Sequence, residues 1–119
     1  MTTTEIANRL VEMCRQGQVE EAKTELFADD IVSIEPGPTP YADKETRGMK
    51  AIREKAEKFM KLVEDFHSMT VSDPIVAGNT FACVMTTDLT MKGQPRSTMA
   101  ELCVYKVKDG KIVSEEFSW

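Results

Sequence analysis

The sequence predicts an α+β domain, with helices packed on one face of a curved, mainly antiparallel sheet. Hydrophobic residues recur with a helical period through Phe66 and with a period of 2 thereafter. The helical half precedes the strand half, as in folds that segregate helices to one side of a sheet. The 119 residues suffice for one core, and no linker, repeat or low-complexity segment divides them.

Residues 2 to 15 carry Ile6, Leu10, Val11 and Cys14 on one helical face, after a threonine run whose last members suit an N-cap. Gly17 ends this helix, and a second over residues 18 to 27 presents Val19, Ala22, Leu26 and Phe27. The pair reads as a helical hairpin closed by "ADD". A short strand, Ile31 to Ile34, then ends on Glu35 and enters a loop with Pro36, Pro38 and Pro40. Residues 48 to 66 form the clearest amphipathic helix, with Met49, Ile52, Ala56, Phe59, Met60 and Val63 on one stripe. Strands are expected at residues 67 to 76, 80 to 91, 96 to 107 and 111 to 119, separated by "AGN", "KGQP" and "KDGK". Asp109-Gly110 in the last of these is a strong hairpin signal.

With 41% hydrophobic and 29% charged residues, the composition is that of an ordinary globular domain. No apolar run reaches the roughly 18 residues of a spanning helix, and "MTTTEIANRL" is not a secretory leader. The chain is read as cytoplasmic, without membrane association. A net charge of -5 with no basic cluster argues against nucleic acid as a partner. Cys14, Cys83 and Cys103 are odd in number and lie in apolar-patterned segments, so they read as reduced packing residues. Neither a metal site nor a glycine-rich phosphate loop nor a Gly-x-Ser-x-Gly elbow is present in the sequence. Chemistry would fall to carboxylates and the one imidazole, with no cofactor expected.

Glu35 shares a strand face with Ile31 and Ser33, where it could point between sheet and helices and exchange protons. The alternative is a solvated strand terminus. Glu101 alternates with Met99, Cys103, Tyr105 and Val107 in a segment apolar on both faces, so it needs a donor or a proton. Its structural alternative is a pair with His67, Arg96 or a backbone amide. His67 shares alternation with Met69 and Val71 and is the natural partner for either glutamate. Trp119, two positions past Phe117 on one strand face, is expected to pack in a pocket wall or a subunit interface.

The element order, with "ADDIVSIEP", "GMKAIREKAEKF", "KGQP" and "VKDGKIVSEEFSW", resembles the nuclear transport factor 2-like superfamily, in its SnoaL-like and ketosteroid-isomerase-like branches. The resemblance implies a cone formed by a strongly bent sheet around a long helix, the cystatin-like α+β roll, with an apolar pocket at its open end. Aligned on "ADD", the isomerases' catalytic base falls on Glu35. Their oxyanion-hole tyrosine falls on Leu10, which has no donor. Their oxyanion-hole aspartate falls on Leu102, or on Glu101 or Cys103 if the register slips by one. A pocket tryptophan of some members matches Trp119.

The resemblance therefore implies one domain over residues 1 to 119 that binds a small apolar or carbonyl-containing molecule. Glu35 is expected as general acid or base, with His67 and Glu101 as polar partners. Tyr41, Phe59, Phe117 and Trp119 are expected around the ligand. The reaction class is proton transfer beside a carbonyl, as in an isomerase, cyclase or dehydratase. The competing expectation is a non-catalytic ligand-binding or homodimerisation module. Homodimerisation through the outer sheet face is expected in either case.

Overall fold

A computed structural model describes residues 1–119. Three helices, α1 (Thr3–Arg15), α2 (Val19–Leu26) and α3 (Met49–Leu62), lie on one sheet of seven strands. The strands are β1 (Phe27–Ile34), β2 (Glu45–Arg47), β3 (Val63–Val71), β4 (Ile75–Ala77), β5 (Thr80–Met91), β6 (Ser97–Lys108) and β7 (Lys111–Ser118). Their order is β2-β1-β7-β6-β5-β3, with β4 also on β5. All pairs are antiparallel except β1 with β7, so the sheet is mixed. The α+β expectation holds.

The N-cap of α1 is Thr2, the first threonine of its run. Only Thr2 has a glutamate three residues on, and Thr2 and Glu5 close a reciprocal capping box. Gly17 adopts φ +77° between α1 and α2, which completes the helical hairpin. Ile6, Leu10, Val11 and Cys14 are buried in the core, as the helical period requires. At the far end of the chain, Asp109 and Gly110 both have positive φ, matching the tight β6 to β7 turn.

Three boundaries differ from the sequence expectation, each because sheet pairing overrides local pattern. "ADD" lies inside β1, since Phe27 already pairs with Ile112 of β7. The α3 stripe runs on to Val63 in sequence, but Val63 pairs with Met91 and β3 begins there. The expected strand at residues 67 to 76 is split between β3 and β4 around Pro74, which cannot donate to a ladder. The short strand β2 lies in a segment read as loop, and it caps the edge of β1 through Val32 opposite Arg47.

The core fills the space between helices and sheet. It includes Ile6, Leu26, Ile31, Ile52, Phe81 and Ile112, each almost fully excluded from solvent. The hydrophobic effect over these side chains, at about 25 cal/mol per Å² of apolar area, dominates the stability of the unit. No helix is long and apolar enough to cross a membrane.

Candidate functional site

A cavity of about 620 Å³ opens between the helices and the inner sheet face. Its size suits a small organic ligand. Of the 26 residues lining it, 17 are hydrophobic, so the bulk of any ligand must be apolar.

Polar groups enter this wall from several elements. The β1 alternation places Ile31, Ser33 and Glu35 on the buried face, with Glu35 only 4% exposed. From α3, Lys55 donates to Ser33 Oγ at 2.6 Å and to Glu35 Oε1 at 3.0 Å. The Glu35 side chain of this ion pair is buried and that of Lys55 is 11% exposed. Glu35 Oε2 is buried too, and has no hydrogen-bond partner. Such an atom ordinarily costs stability.

Glu115 of β7 lies beside Ser33 in the parallel register. Burial raises its carboxyl above the usual range, while Lys55 and the Ser33 hydroxyl pull it back. Glu101 of β6 also lines the cavity, pushed up to about 7 by burial first and by the Glu35 and Glu115 charges next. Glu35, Glu101 and Glu115 do not form a set that could hold a metal ion.

The strand register answers which β6 residue faces inward. Glu101 lines the cavity, Cys103 is fully buried on the same face, and Leu102 stands outside at 43% exposure. Arg96 pairs with Asp88 instead of Glu101. Leu10 lines the cavity and contributes no donor.

His67 is a correction. It is exposed, its Nε2 lies 3.1 Å from Thr90 Oγ1, and it does not line the cavity. The cause is a bulge: Phe66 pairs with Leu89 and Ser68 with Asp88, leaving His67 as an extra residue. Phe66 and Met69 therefore line the cavity, and the imidazole is thrown out of their alternation. It is not placed to partner Glu35 or Glu101.

The four expected wall residues all line the cavity. Phe59 meets Tyr41 edge to face, with centroids 5.1 Å apart. The proline loop is closed at its base by Glu35 N–H donating to Lys44 C=O at 2.7 Å, which returns Tyr41 to the wall. Burial, then the Glu35 and Glu101 charges, hold the Tyr41 hydroxyl above its ordinary value. Phe117 offers its ring to Lys55 Nζ at 5.4 Å, and Trp119 closes the rim at 56% exposure.

Sequence reasoning missed Lys55 and Glu115. The signal for Lys55 was present: it lies three residues after Ile52 and four before Phe59, a charge within an apolar stripe. Glu115 was legible as the residue two before Phe117 on the face assigned to Trp119.

A pH dependence of stability follows from Glu101. Its folded value of about 7 lies above the ordinary 4.5, so the folded state holds the proton more tightly. This contribution is complete below pH 4.5 and is lost as pH rises through about 7. Partial exposure limits the effect to about 2–3 kcal/mol, at roughly 1.36 kcal/mol per unit. Glu115, also raised, acts in the same direction. Urea denaturation should give lower stability at pH 8 than at pH 5.5, and Glu101→Gln should flatten the difference. An unchanged slope in that variant would assign the effect elsewhere.

The whole chain, residues 1–119, matches the family model of the SnoaL-like domain. Among solved structures it is similar to a protein from Mesorhizobium loti described as a candidate SnoaL-like polyketide cyclase. The two are 35% identical, with a TM-score of 0.91 and 100% of each chain covered. In fold it is also similar to a candidate isomerase from Bacillus subtilis, at 20% identity and a TM-score of 0.70, covering 100% of this chain and 89% of that one. TerC, co-crystallised with polyporic acid, shares 15% identity at a TM-score of 0.79, with 98% and 90% covered. No curated protein matches the chain. Similarity at 35% identity over full length, together with the family match, has one consequence: the chain belongs to the SnoaL-like family.

Proposed function

We propose that the domain binds a small, mainly apolar carbonyl compound in its cavity and that Glu35 moves a proton at the carbon beside the carbonyl. The observation that carries this reading is the Glu35 carboxylate itself. One oxygen is held by Lys55 and the other is buried without a partner, in a residue that lines an apolar cavity. A fixed carboxylate in a water-poor site is what abstraction of a weakly acidic C–H proton needs. The proton transfer serves isomerisation, aldol-type cyclisation or dehydration.

The test uses 2-tetralone, an apolar ketone with exchangeable α-protons. Wild-type protein in D₂O should accelerate deuterium uptake at the α-carbon in a saturable way, followed by NMR. Binding without acceleration would favour the non-catalytic ligand-binding module. Absence of binding would sink the cavity reading.

We also propose that the chain forms a homodimer through the outer sheet face. Val84 and Leu102 pair directly across β5 and β6, and stand 39% and 43% exposed on that face. Two adjacent apolar side chains on a sheet surface favour coverage by a second apolar surface. Light scattering at micromolar concentration should give a dimer, and Leu102→Lys should give a monomer. A monomeric wild type would refute the assignment.

A further inference from the structure

We propose that Lys55 is a catalytic residue, the donor that receives the carbonyl oxygen of the substrate while Glu35 takes the α-proton. The inference rests on the proposed function, which it deepens by naming the electrophilic group. Leu10 lines the cavity without a donor, so an oxyanion must be met by another side chain. The cationic groups at the cavity wall are Arg15, Lys23 and Lys55, and of these Lys55 alone contacts Glu35.

An ammonium has three N–H donors. Two are used, by Ser33 Oγ and Glu35 Oε1, and the third has no acceptor. The Phe117 ring attracts the charge without consuming a donor. One free donor on Lys55 and one free acceptor oxygen on Glu35 thus belong to the same ion pair. An enolisable carbonyl compound presents the complement, an acceptor oxygen two bonds from an acidic C–H. It would bridge the pair with both free positions filled.

Charge balance supports the same arrangement. The α-C–H bond breaks, its proton bonds to Oε2 of Glu35, and the electron pair moves through a new C=C bond onto the carbonyl oxygen. The negative charge passes from Glu35 to the enolate oxygen. Lys55 faces one anion before the step and one after it, so no buried cation is left unpaired at any stage. Glu101 and Glu115 face the same cavity but make no ion pair with Lys55.

The test uses 2-naphthol, the aromatic counterpart of the 2-tetralone enol, whose ionised form absorbs at longer wavelength. Removing Lys55 alone would strand Glu35, so the informative comparison is wild type, Glu35→Gln and the double variant Glu35→Gln with Lys55→Met, whose cavity carries a neutral pair. At pH 7, Glu35→Gln should bind the probe as naphtholate, the one anion that Lys55 then faces, whereas wild type, with Lys55 already paired to Glu35, should bind it as neutral naphthol. The double variant should bind it, followed by Trp119 fluorescence, with loss of the naphtholate band. Lys55→Arg in the Glu35→Gln background should retain the band. A band that persists in the double variant, or binding by all variants with no band, would overturn the role of Lys55 and leave the cavity reading intact. Failure of every variant to bind would bring down the cavity reading and this inference with it.

Discussion

Replacing Glu35 by Gln is expected to slow α-proton exchange of 2-tetralone by roughly 10²–10⁴-fold, the ordinary contribution of a positioned general base. Gln keeps the shape of the side chain and an acceptor for Lys55, whose Nζ lies 3.0 Å from Oε1, but it cannot take a proton. Ligand affinity should change little, because most of the cavity wall is hydrophobic. The loss should thus fall on kcat and leave KM nearly unchanged. Exchange that survives in this variant would move the base elsewhere, with Glu101 the first place to look, since it lines the same cavity.

The second large effect is on stability. Lys55→Met should destabilise the fold by about 3–5 kcal/mol, because it leaves a buried carboxylate without its cation. Glu35 is 4% exposed and Glu115 5%, so water cannot easily take over the role of the ammonium. A loss of that size is a large share of the roughly 5–15 kcal/mol that holds a small domain together. Adding Glu35→Gln should restore part of it, and lowering the pH should do the same by neutralising the stranded carboxyls. Urea midpoints for wild type, the single variant and the double variant measure the coupling directly. Additive effects would mean that the observed 3.0 Å contact contributes little.

The sheet positions legible in the sequence were those where alternation runs unbroken. Ile31, Ser33 and Glu35 obey it, as do Glu101, Cys103 and Tyr105, and all face inward. The failure at His67 is of a different kind. A bulge inserts one residue into β3 without any glycine or proline to mark it, so pattern counting carries the wrong phase into the site. A second irregularity, between Lys106 and Val107 of β6 as they pair with β7, brings Ile112 and Glu115 to the same buried face despite their odd spacing. Lys55 was overlooked for another reason. A lysine on an amphipathic helix is read as solvated by default even where it sits on the apolar stripe, and its tertiary neighbours Ser33 and Glu35 show what it binds.

The parallel pairing of β1 with β7 also bears on how the protein is born. Phe27 waits for Ile112, and Ile34 waits for Glu116, so the two strands that carry Glu35 and Glu115 cannot join until nearly all of the described chain has left the ribosome. The helical hairpin and the β5 to β6 pairing can form earlier, since their partners lie closer together in sequence. During synthesis the growing chain therefore holds an open sheet edge, and Glu115 joins Glu35 and Lys55 only when β7 docks. The cavity wall is thus completed late, because Glu115 and Phe117 arrive with β7.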